Sequence, residues 1–534
     1  MRVSEYVNFD AVGLAELVAG GEVTPAEVEA AAREAAQAVD PQINAVVETW
    51  PTDTGDEHAP TPASVPASSP TSAPLSGVPF LIKDIGVSMA GRRMELGSRL
   101  AEGNIARADS SLMRRFRRAG LVTFGRTATP ELAYSNTTEP VLYGATRNPW
   151  GLDRSAGGSS GGAGAAVAAG VVPIAHATDA AGSIRIPAAH NGLFGLKPTR
   201  GRVSMGPDAD EVFNGLAVQG CVSRTVRDSA VLLDQIRGPE PGDPYYAPEP
   251  PRPYAEEVTR DPGVLRIGVL THAWGGHRTT APVADALSRT VRLLESLGHR
   301  VEDAEADVEL GVDWEEFILS SARQWTANLA ASVDALAAAF DRPIDSSTLE
   351  PSTLAGYHYG KRVTATQFVT ALETRNRIAR SLANSFTTYD ILLTPTLPEL
   401  PVPLGTHAEG AEEDAEEDLD GLGRLRRVLE LSPFTTAFNV SGTPAMSVPL
   451  APDSTTGLPI GMQFATGYGL EGRLFRLAGQ LEQASPWSAR RPAVWAGHQG
   501  NQGNPTPGPS PRRDVPQLVT VYSTSAAPSP TAHP

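Results

Sequence analysis

Reactive side chains are concentrated in three short segments. The first, GVPFLIKD, runs from Gly77 to Asp84 and ends an apolar stretch in Lys83. The second, AGGSSGGAG, runs from Ala156 to Gly164 and sets Ser159 and Ser160 among glycines. The third, TDAAGSIRIP, runs from Thr178 to Pro187 and carries Asp179 and Ser183. Each has a plain structural reading. A lysine ending an apolar strand snorkels its ammonium to solvent. A Gly/Ser run is a flexible loop, and a serine after a tight turn caps the next helix.

Each also has a chemical reading. At the ordinary lysine pKa of about 10.4, roughly one side chain in 2,500 is neutral at pH 7, so a lysine base must be shifted down by about 2–4 units. Burial in an apolar strand supplies such a shift, because desolvation disfavours the ammonium. Gly157 to Gly161 spells G-x-S-x-G, the pattern of a nucleophile elbow, but that motif needs an apolar strand just before it. The residues in front, Asn148 to Arg154, read as a turn. In the Asp179–Ser183 turn, successive backbone N–H groups can converge on one oxygen. Losing one such donor typically raises a barrier by about 3 kcal/mol.

Taken together, with the two serines 24 positions apart, Lys83, Ser159 and Ser183 resemble the amidase signature family. The resemblance extends to GLFGLKPTRGRVS (192–204), YDILLTPT (389–396) and GLPIGMQ…LEQASPW (457–487), and covers about residues 8–492. It implies a Ser-cisSer-Lys triad. Ser183 attacks the amide carbonyl, and Ser159, whose peptide bond is cis in relatives, bridges Ser183 to Lys83. Neutral Lys83 receives the proton and returns it to the leaving amine. The N–H groups of Ala180, Ala181, Gly182 and Ser183 hold the oxyanion, and water hydrolyses the seryl acyl-enzyme. Ser160 and Asp179 support the two loops.

The reaction so implied needs neither metal nor organic cofactor and takes a small-molecule amide as its substrate. Ala181 stands where many relatives have Gly and disfavours positive φ, so a slightly different oxyanion loop is expected; Ala156 stands where Pro is common. ELAYSNTTEP (131–140), ATRNPWGLD (145–153) and GLAVQGCVSRTVRDSAVLLD (215–234) resemble the branch containing 6-aminohexanoate cyclic-dimer hydrolases. Its members act on diverse amides, so the branch does not fix the substrate, and an aliphatic or cyclic amide is one reading of it. Two other readings share the signature: an amidotransferase subunit delivering ammonia to a misacylated tRNA, and a catalytically silent binding scaffold.

The framework around these residues is readable from periodicity and punctuation. Residues 10–20 and 25–38 read as helices, the second opened by a capping box of Thr24 and Glu27 with Pro25 between them. Gly77–Asp84 and 121–127 read as strands, with a basic helix between them capped by Asp109 and stopped at Gly120. A Gly/Ser loop at 155–162 leads into a small-residue helix at about 162–169, a strand at 171–178 and the tight loop 179–183. The last therefore sits at the C-terminal end of a strand, where open α/β sheets place their sites. Further on, 265–270 reads as a strand, 281–297 as a helix ended by Gly298, 304–385 as mainly helical, and 389–395 as a strand. Two apolar stretches and a helix at about 471–484 close the fold.

The fold class implied by the family resemblance is α/β: a single domain over residues 1–497, with a mixed, twisted central sheet covered by helices on both faces. Residues 51–74, rich in Pro, Ser and Thr, read as a flexible insertion, and 498–534 as a disordered tail. The chain has 534 residues, 41% of them hydrophobic, ample for a large core. Its net charge of −17 argues against nucleic acid or an anionic membrane as partner. Part of that charge sits in the run 409–420, which reads as a solvated loop.

The longest apolar stretch, Ala163 to Ala177, is interrupted by Gly170, Pro173 and His176 and is too short to span a bilayer. The opening MRVSEYVNFDAVGLAELV lacks the apolar core of a signal peptide. The single cysteine, Cys221, fits a reducing compartment, so a cytoplasmic location is expected. It reads as a buried small residue rather than a nucleophile, His176 as a satisfied core histidine, and Arg185 as structural. The resemblance also implies a homodimer, the state of many relatives.

Overall fold

GVPFLIKD folds as expected, into a strand that is buried along its whole length, Pro79–Lys83. Such continuous burial is what a parallel strand covered on both faces requires. The computed structural model describes residues 1–51, 73–407 and 420–498. All but the edges of the 51–74 insertion, the 409–420 acidic run and the 498–534 tail lie outside them.

In chain order the strands are β1 (Val46–Thr49), β2 (Pro79–Lys83), β3 (Val122–Thr127), β4 (Arg147–Asn148), β5 (Gly151–Ser155), β6 (Ile174–Asp179), β7 (Phe194–Lys197), β8 (Val218–Ser223), β9 (Arg266–Val269), β10 (Arg300–Asp303), β11 (Ile391–Pro395), β12 (Ala445–Pro452) and β13 (Pro459–Ala465). Eleven form one mixed sheet in the order β1-β3-β2-β6-β8-β7-β12-β13-β11-β9-β10, and β4 and β5 pair alone. β2 runs parallel to β3 and to β6, whereas β8 is antiparallel to β6. Lys83 and Thr178–Asp179 therefore come to the same edge of the sheet, at the C-terminal ends of parallel neighbours.

Both faces of the sheet are covered. Along β11, Ile391 and Leu393 belong to one apolar cluster and Leu392 to another, the alternation expected of a strand with core on each side. Residues Met1–Gln499 pack as one unit.

Most local readings hold, with instructive shifts. Thr24 and Glu27 form the expected reciprocal cap, Glu27 N–H donating to Thr24 Oγ1 at 3.2 Å and Thr24 N–H to Glu27 Oε2 at 2.8 Å. Their helix runs to Ile43, past Pro41, and ends at Asn44 in the left-handed region (φ 50°). One proline in the last turn removes a single bond, too little to end the helix earlier.

The basic helix, Ser111–Arg118, is capped by Ser110 rather than Asp109. Asp109 instead accepts from Ala90 N–H at 2.8 Å and pairs with Arg117 at 2.7 Å. β6 begins at Ile174, three residues after the apolar run does, because Pro173 has no N–H for the ladder. The turn read at 148–154 is in fact the β4–β5 ribbon. Lying outside the central sheet, it does not supply the strand a nucleophile elbow needs.

Candidate active site

Lys83 ends β2 fully buried, at 0% exposure. Its Nζ lies 2.7 Å from Ser159 Oγ and 2.9 Å from Thr178 Oγ1, and among the described residues no carboxylate forms an ion pair with it. Burial pulls its pKa down to about 7, only partly opposed by the charge of Asp179. Below it, Lys83 N–H donates to His176 Nδ1 at 3.2 Å, and His176 Nε2 meets Gln219 Oε1 at 2.8 Å. These partners assign the ring proton to Nε2. Burial holds His176 down to about 3, so the ring is neutral. It is a satisfied core histidine, as read, and it pins the backbone of the lysine.

Ser159 follows a cis Gly158–Ser159 peptide. A side chain at 158 has no room: its Cβ would meet Thr137 O at 2.6 Å. Thr138 ties the loop on both sides, donating to Gly157 O at 2.9 Å and accepting from Gly161 N–H at 3.1 Å. Ser160 Oγ exchanges bonds of 3.3 Å with the carbonyl and N–H of Thr178, joining the two serine loops. The helix Gly161–Ala168 then leads the chain away.

The turn after β6 is shaped by Asp179. Its carboxylate accepts from Gly182 N–H at 2.8 Å and Ile184 N–H at 3.2 Å, and from Arg185 Nε and Nη2 at 2.9 Å each. Burial pushes this carboxyl up, but the fully buried Arg185 outweighs it and holds the carboxyl at about 2. Arg185 also donates to Thr435 O, Gln463 Oε1 and Asn439 Oδ1. Asn439 returns to Asp179 O at 3.0 Å. Arg185 is structural, as expected.

The geometry differs from expectation at two points. Ala181 escapes strain because the positive φ falls on Gly182 (φ +132°), where a Cβ would also meet Thr435 Oγ1 at 2.6 Å. Of the four N–H groups expected to face an oxyanion, that of Gly182 is engaged by Asp179. Those of Ala180, Ala181 and Ser183 carry no protein hydrogen bond among the described residues. Ser183, 8% exposed, stands on this loop, and its Oγ likewise makes no protein hydrogen bond among them. The Lys83–Ser159 leg of the expected relay is thus a hydrogen bond, whereas the Ser159–Ser183 leg is not. Thr178, Gln219 and Asn439 were missed; Thr178 lay inside a motif already singled out, while Asn439 is 260 positions from Asp179 and left no local signal. Cys221 is buried, its thiol pushed up to about 12 by burial, which removes it as a nucleophile.

Comparison with known proteins decides the lineage. The family model Amidase matches residues 27–475. The chain belongs to the amidase signature family. It is 38% identical over 499 residues to the 6-aminohexanoate-cyclic-dimer hydrolase of Paenarthrobacter ureafaciens, spanning 91% of this chain and 96% of that one. It is 36% identical to the putative amidase AmiC of Mycobacterium tuberculosis (strain ATCC 25618 / H37Rv), with 90% and 95% covered. The solved structure of 6-aminohexanoate cyclic dimer hydrolase complexed with substrate superposes with a TM-score of 0.82 at 36% identity, over 91% of this chain and 99% of that one.

The protein is therefore an amidase, a hydrolase of carboxylic amide C–N bonds, and the family works through a seryl acyl-enzyme. Among the described residues no helix of this amidase is long and apolar enough to cross a membrane, and no three His, Cys, Asp or Glu side chains are grouped to hold a metal ion.

Proposed function

We propose that Ser183 is the nucleophile of this amidase and that Lys83, acting through Ser159, is its base. Ser183 Oγ attacks the amide carbon while its proton passes to Ser159 Oγ and the proton of Ser159 passes to neutral Lys83 Nζ. The carbonyl oxygen gains the negative charge and is held by the N–H groups of Ala180, Ala181 and Ser183. When the C–N bond breaks, the proton returns along the same path to the leaving nitrogen. Water then repeats the sequence on the ester and frees the acid. For the last leg of the relay, substrate binding brings Ser183 Oγ into line with Ser159, since catalytic hydrogen bonds tighten in the bound state. Asp179 and Ser160 hold the loops in place.

One observation carries this reading: a fully buried lysine amine is bonded to a serine hydroxyl and has no carboxylate partner among the described residues. The substrate we assign is an aliphatic or cyclic amide. The names of the relatives support it, and the loop carrying Ser183 is apolar, Ala180 and Ala181 packing in one core cluster with Leu216, Phe213 and Trp325. Phe213 stacks on Trp325 with ring centroids 4.4 Å apart.

A screen of aliphatic, aryl and cyclic amides against wild type and Ser183→Ala tests both parts. Hydrolysis surviving in the variant, or a phosphonate probe that labels a residue other than Ser183, would remove the nucleophile. A preference for aryl amides would remove the substrate class. The same reading includes a cytoplasmic homodimer; sedimentation at the mass of one chain would exclude the dimer.

A further inference from the structure

The end of β8 remote from the active site carries positive charge that amide hydrolysis does not use. Val218, at one end of this strand, pairs with Asp179, while Arg224 follows directly on the other end. Arg224, Arg227 and Arg491, with Asn8, Asp10 and Ser488, line a cavity of about 370 Å³.

Arg224 and Arg491 lie over the same indole, their guanidinium carbons 5.6 and 4.5 Å from the Trp495 ring centroid. Each spends one arm on the main chain: Arg224 Nη2 on Phe9 O, Arg491 Nη1 on Ser488 O and Arg490 O. Arg224 is only 8% exposed, and its Nη1 is buried without a hydrogen-bond partner. Among the described residues neither arginine forms an ion pair; the cavity's one carboxylate, Asp10, is taken by Arg227 at 2.5 Å. The neighbouring acids are occupied elsewhere, Asp228 by the N–H groups of Ala11 and Val12 and Glu482 by that of Val226. Burial pushes Arg224 and Arg491 down, and the charge of Arg224 lowers Arg491 further.

Three guanidinium groups thus line the cavity with one carboxylate, the buried Asp228 behind them acting on Arg224 and Arg227, in a chain whose net charge is −17. We infer that this cavity is a second ligand site, which binds a small oxyanion, a carboxylate or phosphate group, between Arg224 and Arg491. A buried donor without an acceptor is costly, and two like charges over one ring repel. An anion with two or more acceptor oxygens relieves both, and the planar fork of donors on guanidinium matches carboxylate and phosphate oxygens. The Ser488 hydroxyl brings a further donor to the same cavity, and the Asn8 amide, which gives one hydrogen to Ser4 O at 2.7 Å, also lines it.

Calorimetric titration of the full chain at constant ionic strength, with inorganic phosphate in one arm and acetate in the other, tests the site. Saturable one-to-one binding is expected. Phosphate alone binding assigns a phosphoryl ligand, acetate alone a carboxylate ligand, and both together the shared chemistry. Arg491→Gln should weaken binding by roughly tenfold or more, since it removes a charge-assisted pair of bonds. Arg491→Lys keeps the charge but loses the fork; it should also bind more weakly, and it serves if the first variant does not fold. No saturable binding of either anion by wild type, or unchanged affinity in whichever variant folds, overturns the inference.

Discussion

Two fully buried cations lie on either side of the end of β6, and the fold treats them in opposite ways. Arg185 is surrounded by acceptors: both oxygens of Asp179, Thr435 O, Gln463 Oε1 and Asn439 Oδ1. Lys83 is given only two hydroxyls. The first is paired and serves as scaffold, holding the Asp179 carboxylate that fixes the turn carrying Ser183. The second is pulled down to about 7 by desolvation, so that a large share of it is able to accept a proton near neutral pH. Even the residue next to Lys83 is treated like Arg185. The carboxylate of Asp84 is bound by Arg126 and by the N–H groups of Glu95 and Gly97. Among the described residues Lys83 shares its lack of a carboxylate partner with the buried Lys197, which burial also pushes down, while Arg185 and Asp84 beside them are paired.

Removing the amine puts this contrast to its most severe test. Lys83→Ala should lower kcat/KM for amide hydrolysis by about 10²–10⁴-fold, the weight of a positioned proton acceptor, with an unchanged circular dichroism spectrum. Turnover near wild type would place the base elsewhere.

The scaffold cation should behave differently, failing in stability first. Arg185→Met strands the buried Asp179 carboxylate and should cost about 3–5 kcal/mol of unfolding free energy in urea. Adding Asp179→Asn should recover part of that loss, because the stranded charge is gone. A single substitution that costs less than about 1 kcal/mol would mean the pair is not the scaffold described.

The mildest effect is graded by pH. The Lys83 pKa lies near 7 in the fold, so kcat/KM should rise as pH climbs through about 7 and the amine sheds its proton. An acid limb centred near the ordinary lysine value would contradict a desolvated amine. Stability carries the matching sign. Between about 7 and the ordinary lysine range the unfolded chain binds more protons at this residue than the folded one, so its contribution favours folding increasingly as pH rises across that window. Lys83→Met should flatten that dependence.

Much of this was legible in the residues alone. GVPFLIKD announced a buried strand because only burial on both faces permits an unbroken apolar run. Thr24 and Glu27 announced a helix start because the capping box is local. The motifs held Lys83, Ser159 and Thr178, whose side chains meet, with Ser183 on the loop that follows. Less visible were contacts made across the chain. Ser159 reaches Lys83 over 76 positions, and Asn439 reaches Asp179 over 260. β7 and β8 are short and interrupted by glycine, and no periodicity revealed them. Asp109 and Ser110 were interchanged as caps because both residue types suit the role, and only the path of the chain toward Ala90 chose between them.

Residue type and spacing were enough to single out the candidate reactive groups of this amidase and to place them at strand ends and in glycine-lined loops, because strand burial, helix caps and tight turns are short-range matters. The electrostatic state of each group was left to the packed fold. That state depends on which oxygens surround a buried nitrogen, and those oxygens come from segments hundreds of residues apart. Two hydroxyls around Lys83 leave burial to pull it down to about 7, whereas a carboxylate pairs with Arg185, and the same carboxylate accepts the Gly182 N–H.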